Sequence, residues 1–207
     1  MIISVVSQKG GVGKSALART LAAEFTKAGW NTLLADCDHR QSTSARWCEK
    51  RAFNGSQEVQ FRVFRQVSDA IKVESEYDLV IIDGAPHASR GTQQAATAST
   101  ITVIPTGSSV DDLQPGIALA QELIESINAK KIVFALMKTT SDHQEKESKD
   151  TIESLGFSAL SGTIPMRSGY IEALDAGLAL TETKYSSLNK SASTVVQSAI
   201  NLLNNED

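Results

Sequence analysis

Two cysteines, Cys37 and Cys48, are too few and too far apart to frame a disulfide scaffold or a zinc site, so both read as ordinary reduced thiols of a cytoplasmic protein. Proline is nearly as scarce, with four in 207 residues. No linker rich in serine and proline, internal repeat or low-complexity tract divides the chain, which reads as one globular domain over residues 1–207. No apolar run is long enough to cross a bilayer, and the short one at the start reads as a strand rather than a signal peptide. An excess of positive charge is also missing. With 24 acidic and 20 basic side chains the net charge is −4, so nucleic acid would be attracted only by a local basic patch. What is present is a 41% hydrophobic composition, enough for a sizeable core.

Apolar strand-like runs at 2–7, 32–36, 79–83, 101–105, 131–137 and 158–164 alternate with helical patterns at 14–28, 42–51, 67–74, 112–127, 142–155, 169–176 and 187–203. Most of the strand runs are continuously apolar, as in a sheet covered on both faces. The alternation predicts an α/β fold with a mostly parallel twisted sheet and helices on both faces. Ligands of such sheets bind beyond the carboxyl ends of the strands. Lys14, Asp36, Asp38 and Asp83 all fall at such ends. The stretch from Thr139 to Asp150 is dense in alternating charge and reads as a loop entering a solvated helix.

The most specific signal is Lys9-Gly10-Gly11-Val12-Gly13-Lys14-Ser15, followed by Ala16 and set between the first strand run and the first helical pattern. Glycines let successive backbone N–H groups converge on a phosphate, and the helix N-terminus adds partial positive charge. Lys14 can reach the β/γ-phosphates, and the Ser15 hydroxyl can ligate Mg²⁺. The usual G-x-x-x-x-G-K-[ST] spacing needs glycine where this chain has Gln8, so the run is a variant P-loop that opens on an extra lysine, Lys9. Two carboxylates, Asp36 and Asp38, close the second strand, and residues two apart on a strand share a direction. They could orient a water or hold the metal, with Asp36 equally readable as a cap for the helix that starts near Ser42. The run Leu79-Val80-Ile81-Ile82-Asp83 has the layout of a Walker B strand, with Asp83 holding Mg²⁺ through a water.

Together these runs make the chain resemble the ParA/MinD group of deviant Walker ATPases, closest to the short ParA-type partition ATPases without an N-terminal DNA-binding extension. The resemblance spans nearly the whole chain. It is carried by residues 9–15, 36–42 and 81–86, and more weakly by 104–113 and 164–173. It implies ATP and Mg²⁺ as cofactors and an ATP-dependent homodimer in which Lys9 crosses to the partner's nucleotide. A cation delivered in trans is what arginine fingers supply to a transferring phosphoryl group. It also implies Asp38 as the water-orienting acid and an adenine pocket near Lys138 and Pro165-Met166-Arg167. Hydrolysis would be slow until an adaptor protein stimulates it. The assembly would sit on non-specific DNA during partition or cargo positioning. An Asn-Lys-x-Asp guanine reader is absent after 131–137, which favours ATP over GTP.

Two departures stand out. His39 takes the place of the family's usual proline beside the catalytic acid, where it could titrate near neutral pH or be an exposed loop histidine. The C-terminal pattern carries only Lys190, with Lys184 just before it, and ends Asn204-Asn205-Glu206-Asp207, so DNA binding should be weak and salt-sensitive. The same terminus is amphipathic but lacks the cations of a membrane-surface helix, so no membrane partner is expected. An ATP-dependent synthetase of the cobyrinic acid or biotin type would need a substrate site for which 207 residues leave little room. An iron–sulfur carrier would need paired cysteines.

Overall fold

In a computed structural model of the chain, residues 1–38, 41–85 and 90–204 are described. His39, Pro86 and the acidic end at 205–207 lie outside the described residues. The strands are β1 (Ile2–Val5), β2 (Thr32–Asp36), β3 (Gln60–Val63), β4 (Leu79–Asp83), β5 (Ile101–Thr106), β6 (Ile132–Thr139), β7 (Ser158–Ala159) and β8 (Ile164–Pro165). They form a parallel sheet in the order β3-β2-β4-β1-β5-β6-β7, with β8 also on β6. This is the α/β P-loop fold expected from the alternation of strand and helix runs.

Strand alternation divides the core between the two faces of the sheet. Ile3, Val5, Leu34, Leu79 and Ile81 pack with Leu17, Leu21 and Phe25 of helix α1 (Lys14–Lys27), with Trp47 and Cys48 of α2 (Thr43–Phe53), and with Val195 and Ala199 far along the chain. Ile2, Leu33, Val80 and Ile82 face the other way. They meet α3 (Val67–Lys72), α4 (Arg90–Ala98), α5 (Val110–Leu123) and α6 (Asp142–Ser154) through Ala70, Ala95, Leu119 and Ile152. The chain closes with α7 (Ser168–Asp175) and α8 (Ser186–Asn204). No described helix is long and apolar enough to cross a membrane.

Four elements differ from expectation. The run 158–164 is two short strands rather than one, because Gly162 takes a left-handed φ of 75° between them. Edge strand β3, Gln60–Val63, is not among the expected runs: it alternates polar and apolar residues over only four positions and is largely exposed, so its signal is short and weak. Helix α4 reads Arg-Gly-Thr-Gln-Gln-Ala-Ala-Thr-Ala, with only Thr92, Ala95 and Ala96 buried, too small an apolar stripe to register in the sequence. Helix α5 starts at Val110, two residues before the predicted 112, because Ser109 caps it by accepting the Asp112 N–H.

Candidate nucleotide site

Because β1 lies between β4 and β5, the chain leaves it for one side of the sheet and later returns to the other. Such a switch point opens a crevice at the carboxyl ends of the strands. The loop after β1 fills its mouth. Gly11 and Gly13 have φ of 78° and 99°, which L side chains rarely adopt. A Cβ on Gly13 would also lie 2.9 Å from Met137 Cε, a flexible side-chain end that could shift, so the backbone conformation is what favours glycine there. Gly13 caps α1 without a side-chain hydrogen bond, and the first turn of α1 carries no acid. The N–H groups of that turn therefore face a cavity of about 390 Å³, lined by Lys9, Gly10, Gly11, Gly13, Lys14, Ser15 and Ala16. Val12 turns inward and is buried.

Beneath the loop lie two carboxylates that sheet register makes neighbours, Asp36 on β2 and Asp83 on β4. Asp83 is occupied on both oxygens. Lys14 Nζ lies 2.6 Å from Oδ1, and Ser44 Oγ donates to Oδ2 at 2.7 Å. Asp36 is fully buried and accepts three backbone N–H groups. Ser44 and Ala45 donate to Oδ2 at 3.0 and 3.1 Å, and Asp38 donates to Oδ1 at 3.0 Å. Its carboxylate thus holds the N-terminus of α2, the capping alternative for this residue. Burial, with the nearby Asp83 charge, pushes the Asp36 pKa up, and the backbone donors only partly offset this. Cys37, between the two acids, is pushed up to about 12 by burial, and burial does the same for Cys48, so both thiols stay protonated at neutral pH.

Asp38 lines the cavity, its own carbonyl tied to the Gln41 and Ser42 N–H groups. Lys138 reaches the loop from β6. A register shift between Met137 and Thr139 and a φ of 55° at Lys138 aim its side chain so that Nζ donates to the Gly11 carbonyl at 2.5 Å. Pro165, Met166 and Arg167 follow the β8 pairing beside Thr139 but do not line the cavity; Ile171, Leu174 and Asp175 of α7 stand there instead. Lys9 turns aside onto α5, with Nζ 2.6 Å from Asp112 Oδ1 and 3.2 Å from the Asp111 carbonyl oxygen. The Lys9 ammonium holds the Asp112 pKa below the ordinary carboxylate range, against a smaller opposing effect of burial.

Ser44 and Arg19 were not singled out from sequence. Ser44 Oγ bridges Asp83 and Arg19, accepting from Arg19 Nε at 3.0 Å. Its signal was only a serine at a helix start; that of Arg19 was its place four residues after Ser15, on the same helix face.

The described residues contain no cluster of three or more His, Cys, Asp or Glu suited to a metal, so a metal here would take only one or two protein ligands. The Ser15 hydroxyl and the Asp83 carboxylate are hard oxygen donors of the kind Mg²⁺ takes together with phosphate oxygens.

Fold and loop together define a nucleotide-binding α/β protein of the P-loop class. The chain belongs to the family described as the CobQ/CobB/MinD/ParA nucleotide binding domain, which matches residues 3–180. No curated protein sequence matches it. Among solved structures it is similar to the cell division ATPase MinD of Pyrococcus furiosus, at 18% identity over 97% of this chain and 98% of that one, with a TM-score of 0.79. The septum site-determining protein MinD of Pyrococcus horikoshii OT3, complexed with Mg-ADP, is 16% identical over 100% and 98%, with a TM-score of 0.79. A proposed plasmid partition protein of Borrelia burgdorferi B31, bound to AMPPNP, is 18% identical over 97% and 98%, with a TM-score of 0.72.

Proposed function

We propose that the chain is a Mg²⁺-dependent ATPase of the ParA type, a nucleotide-driven switch that positions DNA or another cargo. The phosphate chain would lie along the N–H groups of residues 10–16, with the Lys14 ammonium exchanging Asp83 for the β/γ-phosphates. Ser15 and, through a water, Asp83 would hold Mg²⁺, which when bound neutralises charge on those oxygens. Asp38 would orient the attacking water. Lys138 would pack along the nucleoside, with Pro165, Met166 and Arg167 beyond it. Two copies would close face to face, each Lys9 leaving its own Asp112 for the partner's nucleotide. An adaptor protein would stimulate hydrolysis and release the monomers.

The observation that carries this reading is that Lys9, although it lines the cavity, commits its ammonium to Asp112 and the Asp111 carbonyl of α5 in the single chain. The Mg-ADP and AMPPNP of the structural relatives support the choice of cofactor. For DNA, Lys184 is ion-paired to Glu172 at 2.8 Å, which supports only weak, salt-sensitive binding through this segment. The test is phosphate release from Mg-ATP by the purified chain alone. Slow turnover that Lys14→Ala abolishes is expected. Turnover that requires a small-molecule acid and an amine donor would favour the synthetase reading instead.

A further inference from the structure

Four cations line the cavity: Lys9, Lys14, Arg19 and Lys138. Three are committed in the nucleotide-free chain: Lys9 to Asp112, Lys14 to Asp83 and Lys138 to the Gly11 carbonyl. Arg19 differs. Among the described residues it makes no ion pair, and its single hydrogen bond is from Nε to Ser44 Oγ at 3.0 Å. Its terminal nitrogens are not sealed into the protein either, because the only buried side-chain polar atom without a partner among the described residues is Thr26 Oγ1. Arginine carries five N–H donors in a planar fork, so four remain for an anion in the cavity.

Position supports the same end. Arg19 lies one turn beyond Ser15 on α1, and helical side chains lean toward the N-terminus, here toward the phosphate cradle. Its cavity neighbours include Asp38 and Thr43, from the segment that carries the candidate water-orienting acid. The Ser44 bond fixes the guanidinium in place, since Ser44 is itself fixed by Asp83 and by the Asp36 cap. A partly desolvated, pre-oriented cation gains more from an approaching anion than a solvated one does. Burial lowers the Arg19 pKa while the Asp83 and Asp36 charges oppose the shift, and a guanidinium in such a setting remains charged.

We infer that Arg19 is a cation supplied in cis to the terminal phosphate, setting the preference of this site for a nucleoside triphosphate over the diphosphate. The inference rests on the nucleotide-site reading above and deepens it. Lys9 would act only after dimerisation, whereas Arg19 acts in the single chain.

The test is calorimetric titration of AMPPNP and ADP, both with Mg²⁺, into the wild-type chain, Arg19→Gln and Arg19→Lys. Each is repeated in a Lys9→Ala background to remove dimerisation. The wild type should favour AMPPNP. Arg19→Gln, which keeps a donor for Ser44, should reduce that preference roughly tenfold with ADP affinity held within about twofold. Arg19→Lys should keep part of the preference. An unchanged preference, an equal loss for both nucleotides, or a loss seen only when Lys9 is present overturns the inference and leaves nucleotide binding standing. A wild type that binds both nucleotides equally overturns it too. Failure of the wild type to bind either nucleotide overturns both readings.

Discussion

Lys9 and Asp112 form an ion pair of 2.6 Å that the helix around it helps to build. Pro115 lies inside α5 and has no N–H to give to the carbonyl four residues back, that of Asp111. The Lys9 ammonium takes that acceptor at 3.2 Å while pairing with the next residue's carboxylate. One proline thus creates half of the seat in which the lysine rests.

Asp112→Ala should make ATP-driven dimerisation easier. The pair is partly exposed, with side-chain exposures of 41% and 30%, so it is worth about 0.5–1 kcal/mol. Two seats are vacated per dimer, which predicts a dimer tighter by roughly five- to thirtyfold with AMPPNP. Sedimentation across a concentration series reads this directly. A weaker dimer would mean that Asp112 serves the interface rather than the resting state.

Lys14→Ala should remove nucleotide binding and also destabilise the protein, because Asp83 is 1% exposed and would lose its cation. Leaving a buried charge unpaired costs about 3 kcal/mol. Adding Asp83→Asn should restore the melting temperature but not the binding. Recovery of binding in the double variant would remove Lys14 from the phosphate role.

Asp38→Ala should stall the cycle after ATP binding, with dimer persisting in ATP and phosphate release falling by at least about a hundredfold. The carboxylate caps no helix, and that task falls to Asp36. The variant should therefore melt within about 0.5 kcal/mol of the wild type. Asp36→Ala, by contrast, should unfold α2 and lose activity through instability. Circular dichroism melts separate the two.

Arg51 and Glu182 predict the acid sensitivity of the fold. Arg51, on α2, is nearly buried, pairs with both oxygens of Glu182 at 2.5 and 2.8 Å, and donates to the Gly177 carbonyl, stapling α2 to the segment after α7. Burial pushes the Glu182 pKa up, but the Arg51 bonds and the Ala179 N–H outweigh it and hold the pKa below its ordinary value. A depressed carboxylate pKa contributes stability that is complete above the unfolded-state value of about 4.3 and lost as pH falls through the folded one. Glu182→Gln should therefore cost about 2 kcal/mol at pH 7, the scale of a lost charge-assisted hydrogen bond. The gap to the wild type should close in urea melts taken below the ordinary carboxylate range. A gap independent of pH would mean that packing, not charge, holds the staple.

The strands and the phosphate loop were legible because their signals are local. Continuous apolar runs such as Val80-Ile81-Ile82 mark strands covered on both faces, and two glycines of the phosphate loop, Gly11 and Gly13, stand where the backbone takes positive φ. What stayed hidden depends on contacts distant in sequence. Ser44 and Arg19 gain their roles only when α1, α2 and β4 are brought together, 25 residues separating that pair and 39 separating Ser44 from Asp83. Strand β3 alternates over only four residues at the sheet edge, too short a run to stand out. The two carboxylates at the end of β2 could not be told apart by spacing; the packing of α2 onto Asp36, with Asp38 left at the cavity, separates them.

The central claim, a switch completed by a second copy of the chain, is tested most directly by size-exclusion chromatography with light scattering in Mg-ATP and in Mg-ADP, comparing the wild type with Lys9→Ala. The wild type should be a dimer in ATP and a monomer in ADP, and Lys9→Ala should bind ATP yet remain a monomer. A wild type whose mass does not change between the two nucleotides, or a Lys9→Ala chain that still dimerises with ATP, would contradict it.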